Sequence, residues 1–155
     1  MTSYFVLILM VPLCLHYVQS NKGNKVSTFF LILAFLALVL LAGLRSSYVG
    51  TDTNNYVGSF LSNRVATTNF YESTSTVEIG YLFIEKMARN LSDQYWVFLT
   101  IIATIVVFFS LRTVLKLSYN YSISMFVFIA LGIYLFFFNG ARQGIAAAIY
   151  GIAVI

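Results

Sequence analysis

Arg142 stands in Asn139-Gly140-Ala141-Arg142-Gln143, a polar break of five residues inside an apolar tract that runs from residue 123 to residue 155. Arg45 closes an earlier apolar run and is followed by Tyr48-Val49-Gly50-Thr51-Asp52-Thr53. A guanidinium is costly at the depth such runs occupy, and usually faces a bundle interior or a water-filled cavity there. Two guanidiniums at one membrane face suit a diphosphate, because each fork can hold phosphate oxygens in pairs where water is scarce. The alternative for both arginines is snorkelling, in which a long stem simply carries the charge to the headgroups. Gly43 and Gly50 permit a close turn in which backbone amides and Arg45 face one ligand. Asp52 is either a helix N-cap, a general base, or an orienter of Arg45. Glu78 closes the capping box Ser75-Thr76-Val77-Glu78 and is the second acid to consider. His16 reads as a packed or interfacial histidine and Cys14 as a small core residue. One His and one Cys cannot assemble a zinc or iron–sulfur site from soft ligands.

These residues need a frame, and the frame is a membrane. The chain has 155 residues, of which 60% are hydrophobic and 9% charged, while soluble domains carry roughly 25% charged residues. The net charge of +4 is scattered and forms no basic stripe, which argues against nucleic acid. Apolar runs cover residues 4–18, 28–44, 95–111, 123–138 and 144–155. A spanning helix takes about 17–25 residues, so the second and third qualify outright, and amphipathic neighbours extend the first and fourth. The first run lacks a basic n-region and is read as an uncleaved helix. The fifth stops at Ile155 without a polar flank, as expected of the N-terminal part of a longer polytopic domain. The expectation is an all-α transmembrane bundle of about five spans.

Lys22 and Lys25 occupy the link between the first two spans, and Arg112 and Lys116 the link between the third and fourth, in both cases without an acid. The positive-inside rule puts both links in the cytoplasm and residues 45–94, which hold all five acids, outside. Two amphipathic helices are expected in that external segment, at the outer interface or folded back over the spans. One covers residues 53–64 with Asp52 as its N-cap and Tyr56, Val57, Phe60 and Leu61 apolar. The other follows the capping box, with Ile79, Leu82, Phe83, Met87 and Leu91 on its apolar side and Glu85 and Arg89 as a supporting pair.

Three blocks together resemble a known family. Residues 45–56, RSSYVGTDTNNY, then Glu78-Ile79-Gly80-Tyr81, then Asn139-Gly140-Ala141-Arg142-Gln143-Gly144-Ile145-Ala146 are similar to the signature blocks of the EpsG-type branch of the Wzy-like polysaccharide polymerases. The resemblance implies a multi-pass enzyme of the bacterial cytoplasmic membrane, a membrane glycosyltransferase without a cofactor. It would join undecaprenyl-diphosphate-linked oligosaccharide repeats into exopolysaccharide, capsule or O-antigen at the outer face. A flippase and chain-length regulators would be its further partners. Carried onto these positions, it makes Asp52 and Glu78 the catalytic acids, and Arg45, Tyr56, Arg142 and Gln143 the substrate-binding residues. A flippase for the same lipid-linked sugars, or a non-catalytic subunit of an export complex, are the rival readings.

Overall fold

The computed structural model describes residues 2–62 and 79–154. They form α1 (Thr2–Ser20), α2 (Lys25–Gly43), α3 (Thr53–Ser62), α4 (Ile79–Leu91), α5 (Tyr95–Leu117), α6 (Tyr121–Ala130), α7 (Ile133–Asn139) and α8 (Ala141–Ala153), with no strand among the described residues. The apolar runs become helices because a backbone inside hydrocarbon must satisfy its own polar groups. Residues Ser3–Ser20 of α1 and the whole of α2 and of α5 are long and apolar enough to cross a membrane. Much of their apolar surface faces outward, including Phe5, Leu9 and Leu13 on α1 and Phe29, Leu36 and Leu40 on α2. Contiguous exposure on this scale is a liability in water and the ordinary surface of a helix in lipid.

α5 is the central post. It packs against α2 on one side and α8 on another, while α1 lies between α2 and α6. Small residues permit these approaches where no hydrophobic drive between helices exists. A Cβ on Gly43 would lie 2.8 Å from the Cα of Thr100, and one on Gly151 would lie 2.9 Å from the hydroxyl of Thr113. Ala34 and Ala103 are fully buried between the same helices. The threonine hydroxyls are satisfied within α5, Thr100 donating to the Trp96 carbonyl at 2.7 Å and Thr113 to the Phe109 carbonyl at 2.9 Å.

Against the expected number of about five spans, three helices qualify among the described residues, or four if α6 and α7 form one span. That fourth run is broken between Ala130 and Ile133 by a bend of 54°, at Gly132, whose φ of +74° is open to glycine and costly to other residues. The carbonyls freed at the break find donors. Ile129 accepts from the Gly132 amide at 3.0 Å and from the hydroxyl of Tyr4. Just beyond it, the fully buried Tyr134 donates to the Leu38 carbonyl at 2.6 Å, tying α7 to α2. α8 has 13 residues, about 20 Å at 1.5 Å each, which falls short of a hydrocarbon core of roughly 30 Å.

α3 and α4 fold back over the Tyr95 end of α5. Phe60 stacks on Phe98 with centroids 4.9 Å apart, Tyr81 meets Phe98 edge-on at 5.9 Å, and Tyr56 lies 5.8 Å from Tyr81. Val57 and Phe60 are buried as the spacing predicts, whereas Leu61 is exposed. The face of α4 is a correction. Tyr81, Glu85 and Ala88 are buried, and Ile79, Phe83, Met87 and Leu91 point outward. Leu82 lies between these extremes, half-buried. The reason is that Glu85 enters neutralised: Arg89 Nη2 donates to its carboxylate, and the same guanidinium lies 5.5 Å from the Phe60 centroid. The supporting pair expected within α4 is present with its carboxylate buried, and through the Phe60 ring its guanidinium also reaches α3.

Candidate functional site

The site grows from the end of the bundle where α2, α7 and α8 meet. α2 ends at Gly43, and two residues later the Arg45 guanidinium turns back across the gap. Nη1 donates to the Ala42 carbonyl and Nη2 to the Phe138 carbonyl, both at 3.1 Å, and the guanidinium carbon lies 5.3 Å from the centre of the Phe138 ring. Both carbonyls belong to the last turns of their helices, the negative ends of two helix dipoles. Arg45 therefore joins α2 to the second half of the broken span. Its Nε is buried and has no partner among the described residues. Burial pulls the Arg45 pKa below its ordinary value, although guanidinium stays charged in proteins.

The next residues curl over this clamp. The Val49 amide donates to the Ser46 carbonyl at 3.0 Å, and Gly50 follows with φ +98°. A Cβ on Gly50 would lie 2.1 Å from Oδ1 of Asn139 and 2.9 Å from the hydroxyl of Thr53. Thus the Val49-Gly50-Thr51-Asp52 block sits directly on the Asn139-Gly140 block, although 89 residues separate Gly50 from Asn139 (139 − 50). Thr53 is fully buried beside them, and its hydroxyl has no partner among the described residues.

Arg142 and Gln143 lie in the first turn of α8, Arg142 half-buried and Gln143 exposed. No side chain caps that helix, and the Gly144 amide closes the first turn on the Gly140 carbonyl at 2.7 Å. The opening amides of α8 thus lack intrahelical partners and share the positive end of the dipole with Arg142.

Asp52 is exposed on the rim, just before α3. Its backbone carbonyl accepts from the Tyr56 amide at 3.1 Å, but its side chain makes no capping hydrogen bond and no ion pair with Arg45 among the described residues. Those two expectations are corrected, since a carboxylate pointing into solvent caps nothing. Tyr56 is half-buried against Tyr81. Glu78, and with it the capping box, lies outside the described residues. Asn139 and Thr53 were missed by sequence reasoning. Both stand within the recognised blocks, and the signal was Gly50, whose missing side chain admits both as close neighbours. His16 is exposed and Cys14 is buried in the core. Among the described residues no three His, Cys, Asp or Glu side chains gather as a metal site.

The arrangement offers an anion a cationic turn with free amides, a glycine-lined approach, and one exposed carboxylate nearby. No curated protein and no solved structure matched this chain. The model of the EpsG family matches residues 28–155, which include every residue of the site just described. The clamp, the glycine turn and the first turn of α8 all lie within the matched region, and the chain belongs to the EpsG family.

Proposed function

We propose that this protein polymerises undecaprenyl-diphosphate-linked oligosaccharide repeats at the outer face of the bacterial cytoplasmic membrane. Family membership supports a membrane protein of polysaccharide biosynthesis, and the finer reading rests on one observation: Gly50 is seated against Asn139 and Thr53, and Asn139 leads into the turn that carries Arg142. In this reading the acceptor hydroxyl attacks the anomeric carbon of a lipid-linked chain as the bond to its diphosphate breaks. Arg142, Gln143 and the first amides of α8 receive the departing diphosphate, a task of electrostatic stabilisation. Asp52 takes the hydroxyl proton, with Glu78 as the second acid, and Tyr56 borders the sugar path. Arg45 has two of its donors on carbonyls, so it is assigned to positioning the turn around Asn139, with its remaining donors turned to phosphate.

The test is conversion of a lipid-linked repeat to a polymer ladder by the purified full-length protein in liposomes. Arg142→Lys keeps a cation that can snorkel but loses the planar fork, and is expected to lower turnover roughly 100-fold, as loss of one preorganised transition-state donor does. Asp52→Asn is expected to cost at least about 100-fold if Asp52 moves the proton. Wild-type ladders from both variants at equal protein content would remove the polymerase site from these residues.

The 54° break at Gly132 favours a second reading, because transporters place substrate at discontinuous helices. Movement of lipid-linked repeats across the liposome membrane, without release of undecaprenyl diphosphate, would select it. Sidedness is tested separately by placing cysteines at Ser62 and Tyr119 in a Cys14→Ser background. An impermeant maleimide added to intact cells is expected to label Ser62→Cys and spare Tyr119→Cys; the reverse pattern would invert the topology.

A further inference from the structure

At the opposite end of the bundle from Arg45, α2 and α5 diverge and leave a groove of about 290 Å³. Its walls are Leu31, Ile32 and Phe35 on α2 and Phe108, Leu111 and Leu115 on α5, and its one charged lining residue is Arg112. The two walls are level with each other. Gly43 meets Thr100 at the close crossing, and Leu31 and Arg112 each lie 12 residues beyond that point (43 − 31 and 112 − 100). Arg112 is five residues from the end of α5 (117 − 112), about 8 Å inside at 1.5 Å per residue. Lys116 follows one turn later, and Lys25 is seven residues before Ile32 on the same helical face. All three cations are exposed, and none forms an ion pair among the described residues.

We propose that this groove is a binding site for an anionic phospholipid, with an acyl chain lying between α2 and α5 and the phosphate held by Arg112, Lys116 and Lys25. The reasoning is complementarity at each depth. A groove walled by Leu, Ile and Phe has no donor for a sugar or a peptide backbone, whereas hydrocarbon fits it without leaving a polar group unpaired. Above it, an exposed guanidinium and two ammonium groups without acids match a phosphate diester at the level where headgroups begin. A second protein helix would leave those charges unanswered unless it carried an acid, and a free phosphate would leave the apolar walls empty.

The experiment measures the melting temperature of the detergent-solubilised full-length protein titrated with phosphatidylglycerol, phosphatidylcholine or soluble glycerol phosphate. Phosphatidylglycerol is expected to raise it saturably, as a ligand of the folded state does, phosphatidylcholine to raise it far less, and glycerol phosphate not at all. Arg112→Gln is expected to weaken the phosphatidylglycerol midpoint about tenfold or more, the equivalent of one charge-assisted contact. Ile32→Trp, which fills the groove from an exposed position, is expected to abolish saturation. Both variants should melt as wild type in phosphatidylcholine, which shows that they fold. Equal responses to the two phospholipids, a response to glycerol phosphate, or an unchanged midpoint in either variant would overturn the proposal. Because polymer formation is not the readout, its outcome is independent of the polymerase assignment.

Discussion

Gly144→Ala is expected to deplete the full-length protein from the membrane fraction. A Cβ at this position would stand 2.2 Å from the carbonyl oxygen of Phe137 and 2.8 Å from its carbonyl carbon. Those atoms belong to the backbone of α7, which is held by Tyr134 on Leu38 and by Arg45 on Phe138, so they cannot withdraw alone. Either α8 moves off α7 or the clamp at Arg45 opens. Overpacking in a fixed core costs about 1–3 kcal/mol, and a backbone clash at this distance lies at or above the upper end. Against a total stability of about 5–15 kcal/mol, such a loss removes a substantial part of the folded population. The control is Gly58→Ala, where nothing lies within 4 Å of the added Cβ on an exposed turn of α3. Replacing a mid-helix glycine there is expected to stabilise by about 0.5–1 kcal/mol. Abundance and melting temperature of a fluorescently tagged protein check both. A Gly144→Ala protein as abundant and as stable as wild type would mean that α7 and α8 are not held this tightly.

Gly50→Ala is expected to behave differently, leaving the protein in the membrane while removing polymer. The φ of +98° is strained for any residue with a Cβ, at a cost of about 1–2 kcal/mol. The added methyl would also lie 2.1 Å from the Asn139 side chain and 2.9 Å from the Thr53 hydroxyl. These are side-chain atoms, so the Asn139 amide can swing away and the bundle can survive. The contact between the two blocks cannot survive unchanged. A displacement of about 1 Å in a positioning contact can cost about 100-fold in rate, and loss of polymer on that scale is expected at near-normal protein abundance. The double variant Gly50→Ala with Asn139→Ala distinguishes the causes. It removes the closer of the two clashes, that with Asn139, and should recover melting temperature in part, yet it should not recover polymer. Full polymer from Gly50→Ala alone would show that the seating of Gly50 on Asn139 has no part in activity.

Several elements were legible because they depend on local pattern. The body of α2 and of α5 follows from the apolar runs 28–44 and 95–111, whereas the structure starts α2 at Lys25 and carries α5 on through Arg112 and Lys116, expected in the following link, to Leu117. The first helix of the segment between α2 and α5 was legible from the spacing of Val57 and Phe60, which are buried. The apolar side of α4 was not, because hydrophobic spacing ranks Ile79, Phe83, Met87 and Leu91 above a glutamate. Only the presence of Arg89 and the aromatic rings of Phe60 and Phe98 makes the Glu85 face the one that docks. The bend at Gly132 escaped for a similar reason: a single glycine in an apolar run does not announce a break, and its φ becomes positive only where Tyr4 can satisfy a freed carbonyl.

What the sequence by itself determined is the solvent and the chemistry available. So few charges among so many apolar residues require a membrane, and a membrane requires helices whose backbones are internally satisfied. The same reading selected Arg45, the Gly50 turn and Arg142 as residues whose placement needed a reason. Tertiary structure alone decided what each of them touches. Arg45 was equally suited to phosphate or to headgroups by residue type, and its position between two helix C-termini gave two of its donors to the carbonyls of Ala42 and Phe138. The meeting of Gly50 with Asn139 is likewise invisible in sequence, because contact between residues 89 positions apart depends on how α7 and α8 are held near the end of α2: Gly144 lets α8 close on α7, and Tyr134 and Arg45 tie α7 to α2.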